Sequence, residues 1–254
     1  MKSSLSDPSK TPAQGKPPLL ERLPLPDWAR LTLRVLCYVS LPFFPLFCLF
    51  ILDYMNFGKL GPYHIFIQQH FGSFVFECLV MLWLFLLLLL LFRWAAAAAG
   101  VLGLFSLLFG YINYMKIALN GDHFHPRDIT LASSMNGLTS FISGSVPKWF
   151  FLGAAVVVIW IAVLTLCHTQ IPLRWFIRIP AALVLMLLVW GMFSSNDRSN
   201  RTFSHFGMSF MDAALQASNY RANGFVGAFT INLLMGNLQP PADYSADTVQ
   251  ALLA

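Results

Sequence analysis

Five long apolar stretches run through this chain from about residue 31 to residue 193, and they dictate its solvent. They run about Leu31–Leu52, Phe74–Phe92, Ala95–Met115, Trp149–Cys167 and Trp175–Phe193. A helix crosses the hydrocarbon core of a bilayer with roughly 20 apolar residues. The chain is 57% hydrophobic and 11% charged, against about 25% charged for a soluble domain. Lipid offers no partner to an unpaired backbone group, so the spans must be helices. The runs are too long for barrel strands and do not alternate. The expected fold is an all-α, polytopic bundle of five transmembrane helices. Pro42 and Pro45 should kink the first span, because each lacks a backbone donor. Only Arg93 and Trp94 separate the second span from the third, which forces a tight antiparallel hairpin.

Basic residues set the expected orientation. With the N-terminus inside, the inner segments carry Lys2, Lys10, Lys16, Arg22, Arg30, Arg34, Arg93, Arg174 and Arg178, whereas the outer loops carry Lys59, Lys116, Arg127 and Lys148. Five spans then place the C-terminal segment outside. Three regions follow: residues 1–28, a Pro- and Ser-rich disordered cytoplasmic tail; residues 29–193, the five-helix domain; and residues 194–254, an extracytoplasmic linker. The net charge of +5 fits topology and anionic headgroups rather than nucleic acid. Cys37, Cys48, Cys78 and Cys167 lie inside spans without CxxC spacing and read as packing residues.

Ionisable groups at membrane depth each need a reason. Asp53, Glu77, Asn113, Lys116 and Asp128 gather at the outer level in this topology. One reading is a lipid headgroup pocket formed by Asn113, Lys116 and Asp128, with Glu77 as a partner. The other is structural: Lys116 snorkels, or Glu77 pairs with it to knit spans two and three. His123 and His125 lie near Asp122 and Asp128, but their spacing matches no strong metal pattern. The segment Leu119–Lys148 reads as an amphipathic interfacial helix or as an ordinary folded loop. Beyond the last span, apolar positions from Phe203 to Leu215 and from Phe225 to Met235 suggest two interfacial helices separated at Asn223-Gly224. No Walker loop, GxSxG elbow, HExxH or dinucleotide fingerprint is present.

Two stretches resemble a known family. Asn113-Tyr114-Met115-Lys116 followed by Pro126-Arg127-Asp128 is similar to an N-x-x-K … P-x-D pattern in lipoteichoic acid synthase-like phosphoglycerol transferases. Asn219-Tyr220-Arg221-Ala222-Asn223-Gly224-Phe225, then Pro241-Ala242-Asp243-Tyr244-Ser245, resembles that family's membrane-to-catalytic linker. The resemblance implies a multi-pass protein of a bacterial cell membrane. It implies that this chain anchors, and positions lipid for, a sulfatase-like extracytoplasmic catalytic domain following Ala254. Such a domain moves glycerol phosphate from phosphatidylglycerol to an envelope polymer or glycan, using a threonine nucleophile and a divalent metal, usually manganese. No nucleophile, metal ligand or cofactor site of that kind maps onto this chain. The basic residue often found after the family's lysine is missing, with Leu119, Asn120 and Gly121 in that stretch. The expected partners are membrane lipids, phosphatidylglycerol among them, and either the catalytic domain in cis or an extracytoplasmic protein. A second reading is a stand-alone, non-enzymatic membrane scaffold or lipid-binding protein. A small transporter is a third, weakened by the lack of an inverted repeat.

Overall fold

The computed structural model describes residues 19–22, 24–132, 147–208 and 216–235. Described residues form a 3₁₀ turn at Leu19–Arg22 and ten α-helices, with no strand among them. These are α1 (Asp27–Ser40), α2 (Phe43–Phe57), α3 (Leu60–Gln69), α4 (Phe71–Phe92), α5 (Ala95–Asn120), α6 (Pro126–Ala132), α7 (Lys148–Leu166), α8 (Trp175–Phe193), α9 (Asn196–His205) and α10 (Gln216–Met235). Four helices, α4, α5, α7 and α8, are long and apolar enough to cross a membrane. The pair α1 and α2 makes a fifth span if counted together, bent by 50° at its break. Most of the long connection before α7 and the Pro241 to Ser245 motif lie outside the described residues.

Proline chemistry explains that break. Pro42 sits between α1 and α2 and cannot donate to the preceding turn, so the helix restarts. Pro45 stands at the third position of α2, within the first turn, where no intrahelical acceptor awaits its missing N–H. Only the first of the two expected kinks therefore forms. The helix then runs on to Phe57, five residues past the expected end, and a short helix, α3, follows where none was expected. The α4–α5 hairpin turns through Arg93 and Trp94 as the sequence demands.

The core lies where α2, α4, α5 and α7 meet. Phe44, Cys48, Leu49 and Leu52 of α2 are buried with Met81 and Phe85 of α4. Ala95, Ala98 and Ala99 face them from α5 and are fully buried. Small side chains there let helix backbones approach closely, which is the main route to attraction between helices in lipid. The Phe44 ring meets Trp160 of α7 edge to face, with centroids 5.3 Å apart. Helix α8 packs on α4 and leaves nearly all of its apolar surface outward, where lipid would lie. The cysteines are free thiols, and Cys37, Cys48 and Cys167 are buried.

Helices α9 and α10 fold back onto the end of the bundle opposite the α4–α5 turn. Gly72 touches the Phe206 carbonyl so closely that a Cβ would overlap it. Helix α10 packs chiefly on α2 and α4, burying Tyr220, Phe225, Ala228 and Ile231. Its path bends at Gly224, which adopts φ 69° and ψ −175°.

Candidate functional site

The polar residues singled out in the sequence all lie at the end of the bundle where α10 docks, but they form two linked groups. The outer group centres on Lys116, whose side chain is 13% exposed. Its Nζ donates to Asp128 Oδ2 at 2.8 Å, to Asp122 Oδ2 at 3.1 Å and to the His123 carbonyl at 2.7 Å. An ammonium has three protons, and all three are used. The loop from Gly121 to His125 is wrapped around this cation. Asp122 Oδ1 accepts the His123 N–H at 2.8 Å and lies 3.2 Å from His125 Nε2. Asp128 Oδ2 also accepts the His125 N–H at 2.7 Å. Burial works to raise Asp122, but the hydrogen bonds from Lys116 and the His123 N–H outweigh it and hold its carboxyl below the usual carboxylate range.

Asn113 joins the loop to the helices. Its Oδ1 accepts the Phe124 N–H at 2.9 Å, and its Nδ2 donates to Asn56 Oδ1 at 3.2 Å. Asn56 Nδ2 in turn donates to the Tyr220 carbonyl at 3.2 Å. Tyr220 closes the circuit: its hydroxyl donates to the Phe124 carbonyl at 2.7 Å. Its ring stacks on His123 with centroids 4.5 Å apart and planes 6° apart.

The inner group is a helix cap. The bend at Gly224 starts a new helical piece inside the protein, whose first amides have no helical acceptor. Asp53 Oδ1 accepts the Phe225 N–H at 3.1 Å, and Glu77 Oε1 accepts the Gly227 N–H at 2.9 Å. Both carboxyl groups are fully buried and are immediate neighbours. A helix N-terminus, whose first amides need acceptors, accounts for two acids at this depth. Glu77 therefore serves the backbone of α10, and the acids that hold Lys116 are Asp122 and Asp128.

The structure places Asn113, Lys116 and Asp128 near one another and Glu77 and Asp53 at the same end of the bundle. Asn56 and the role of Asp122 were not expected from the sequence. The signal for Asp122 was its position just after the Gly121 that ends α5, within reach of a lysine one and a half turns back. Of the linker residues, Tyr220, Asn223, Gly224 and Phe225 lie in the site, while Pro241 and Tyr244 lie outside the described residues. No group of three or more histidine, cysteine or acidic side chains among the described residues is arranged to hold a metal ion.

His123 gives this loop a pH dependence. Burial pushes its imidazole down from 6.5 to about 4, with Asp122 opposing and the neighbouring His125, Arg221 and Lys116 reinforcing. Among the described residues its Nδ1 finds no partner. The folded protein thus resists a proton that the unfolded chain accepts. The His123 contribution to stability is therefore expected to be full above pH 6.5 and to fall away as pH drops from 6.5 towards about 4. We expect His123→Phe, which keeps a ring on Tyr220, to flatten that part of the stability curve, as measured by thermal unfolding in detergent across the window.

The fold defines the class: a multi-pass, all-helical membrane protein whose polar residues lock the folded-back helix α10 to one end of the bundle. No family model, curated protein or solved structure matches the chain.

Proposed function

We propose that the chain is the membrane module of a lipoteichoic acid synthase-like phosphoglycerol transferase. In this reading it anchors an extracytoplasmic catalytic domain and orients phosphatidylglycerol beneath it. One observation carries the proposal. The two stretches that resemble that family come together in space: the Tyr220 hydroxyl of the second donates to the carbonyl of Phe124, which lies between Lys116 and Pro126 of the first and 96 positions away. The first stretch supplies the Lys116 knot and the second supplies α10, which is where a linker to a following domain would have to be aimed. Holding α10 rigidly would fix the height and direction at which that domain leaves the membrane.

Lys116 is the cation offered to the lipid phosphate, and it is already neutralised by two carboxylates. The phosphate therefore reaches it by displacing Asp122, the longer of the two ion pairs and the more exposed acid, at 46% against 25% for Asp128. Charge-assisted bonds to phosphate are strong enough to compete with a half-exposed carboxylate. In bilayer discs of phosphatidylcholine with phosphatidylglycerol, Lys116→Ala is expected to lose phosphatidylglycerol binding at this site. Asp122→Asn, which removes the competitor, is expected to raise it about tenfold. Unchanged binding in both variants, with lower thermal stability in Lys116→Ala, would give the knot a purely structural role. The intact mass of the untagged product from its own cells tests the anchor reading directly, since extra sequence after Ala254 is required by it.

A further inference from the structure

The opposite end of the bundle holds a second concentration of charge that the reading above does not use. A cavity of about 340 Å³ opens there between the α4–α5 turn and the start of α8, lined by Arg93, Pro172, Arg174, Trp175, Phe176 and Arg178 among others. Three arginines line one cavity, and among the described residues none of them pairs with a carboxylate. Like charges brought this close repel unless something offsets them.

The cavity walls are fixed by backbone. Ile171 N–H donates to the Arg93 carbonyl at 3.0 Å, and Ala95 N–H donates to the Thr169 carbonyl at 3.1 Å. Trp94 and Gln170 form an antiparallel bridge between the two connections. Arg178 is held as well: its Nε and Nη2 donate to the Leu90 carbonyl at 2.8 and 2.5 Å, and Nη2 also reaches Leu91 at 2.7 Å. These bonds cap the carbonyl end of α4 and leave Nη1 out. The N-terminus of α8 opens onto the same cavity, and its capping residue Arg174 provides no side-chain acceptor for the first-turn amides. Trp175 and Phe176 are exposed beside it, and aromatic residues of this kind sit at headgroup level.

We propose that this cavity binds a phosphate group, that of an anionic phospholipid in the leaflet on the α4–α5 side. Arg93 and Arg174 are the exposed cations, Arg174 lying over the Phe176 ring at 5.9 Å, and Arg178 is the one held by backbone carbonyls. Guanidinium groups suit phosphate because their planar forks can donate two parallel bonds. Basic pockets between helix ends on the positively charged face of a membrane protein are built for such headgroups.

The test uses the full chain in phosphatidylcholine discs, with dioleoyl phosphatidic acid, dioleoyl phosphatidylglycerol or neither, and native mass spectrometry to count lipids retained per chain. The double variant Arg93→Gln/Arg174→Gln alters exposed side chains and spares Arg178. We expect it to retain one fewer anionic lipid and to weaken that binding about 30-fold, with a smaller salt dependence. Lys116→Ala should leave this binding unchanged, which separates the cavity from the α10 site. Inorganic phosphate is titrated in parallel. Competition only at concentrations far above those of the lipid supports a lipid headgroup, whereas tight phosphate binding that lipid cannot displace would overturn the lipid assignment. Equal retention by wild type and double variant would overturn the site altogether and leave these arginines as topology signals alone.

Discussion

Gly224→Ala is expected to release α10 from the bundle. Two effects combine at this position. Its backbone, at φ 69° and ψ −175°, lies in a region that is essentially glycine's alone and costs other residues about 1–3 kcal/mol. A Cβ there would also overlap the Glu77 carboxyl group. That carboxyl cannot step aside freely, because Oε1 is committed to the Gly227 N–H. We expect a loss of roughly 3 kcal/mol or more, against a total of about 5–15 kcal/mol for a typical domain. Gly100→Ala in α5 and Gly191→Ala in α8 are the controls. A Cβ at either meets nothing within 4 Å, so each should be neutral or stabilise its helix by about 0.5–1 kcal/mol. Thermal unfolding in detergent, with hydrogen exchange over 225–235, reads both. Full protection of that segment in Gly224→Ala would mean that the bend is not what seats α10.

What the sequence made legible, and what it did not, divides along physical lines. Span positions follow from apolar length, a local property, so α4, α5, α7 and α8 begin and end within a few residues of expectation, apart from the longer tail of α5. The hairpin at Arg93 and Trp94 was equally plain, since two residues allow few geometries. The proline reading was half right, because Pro42 and Pro45 look alike in sequence and differ only in register relative to a helix start. Position in the membrane predicted that Lys116, Asn113 and Asp128 would be neighbours. Pairing could not be read that way. Glu77 looked like a partner for Lys116 because both are charged and at similar depth. The acceptor-hungry amides of residues 225–227 are invisible until Gly224 is known to break the helix there. Asn223-Gly224 did announce a turn, but a turn inside a buried helix exposes backbone donors that side chains 150 positions away must satisfy.

That division makes the two buried acids separable by experiment. Glu77→Ala leaves the Gly227 N–H without an acceptor in a place water cannot readily reach, and such an orphan costs about 1–3 kcal/mol. The lost side chain also opens a void beside Gly224 and Gly227, both of which pack near it. We expect a total of about 3 kcal/mol. Glu77→Gln should behave quite differently. Its amide oxygen can keep the Gly227 bond, and its NH₂ takes the place of the other carboxyl oxygen, beside the Asp53 carboxyl with which Glu77 shares a hydrogen bond. In the parent that bond needs a donor proton on one of the two acids. The amide can supply it, so Glu77→Gln is expected to be at least as stable as the parent. Asp53→Asn offers the reciprocal exchange, while the double amide variant loses the pairing of one acid with one donor and should gain nothing further. If Glu77→Gln proved as damaging as Glu77→Ala, the carboxyl group itself would be required, and a cap alone would no longer explain why an acid is kept at this depth.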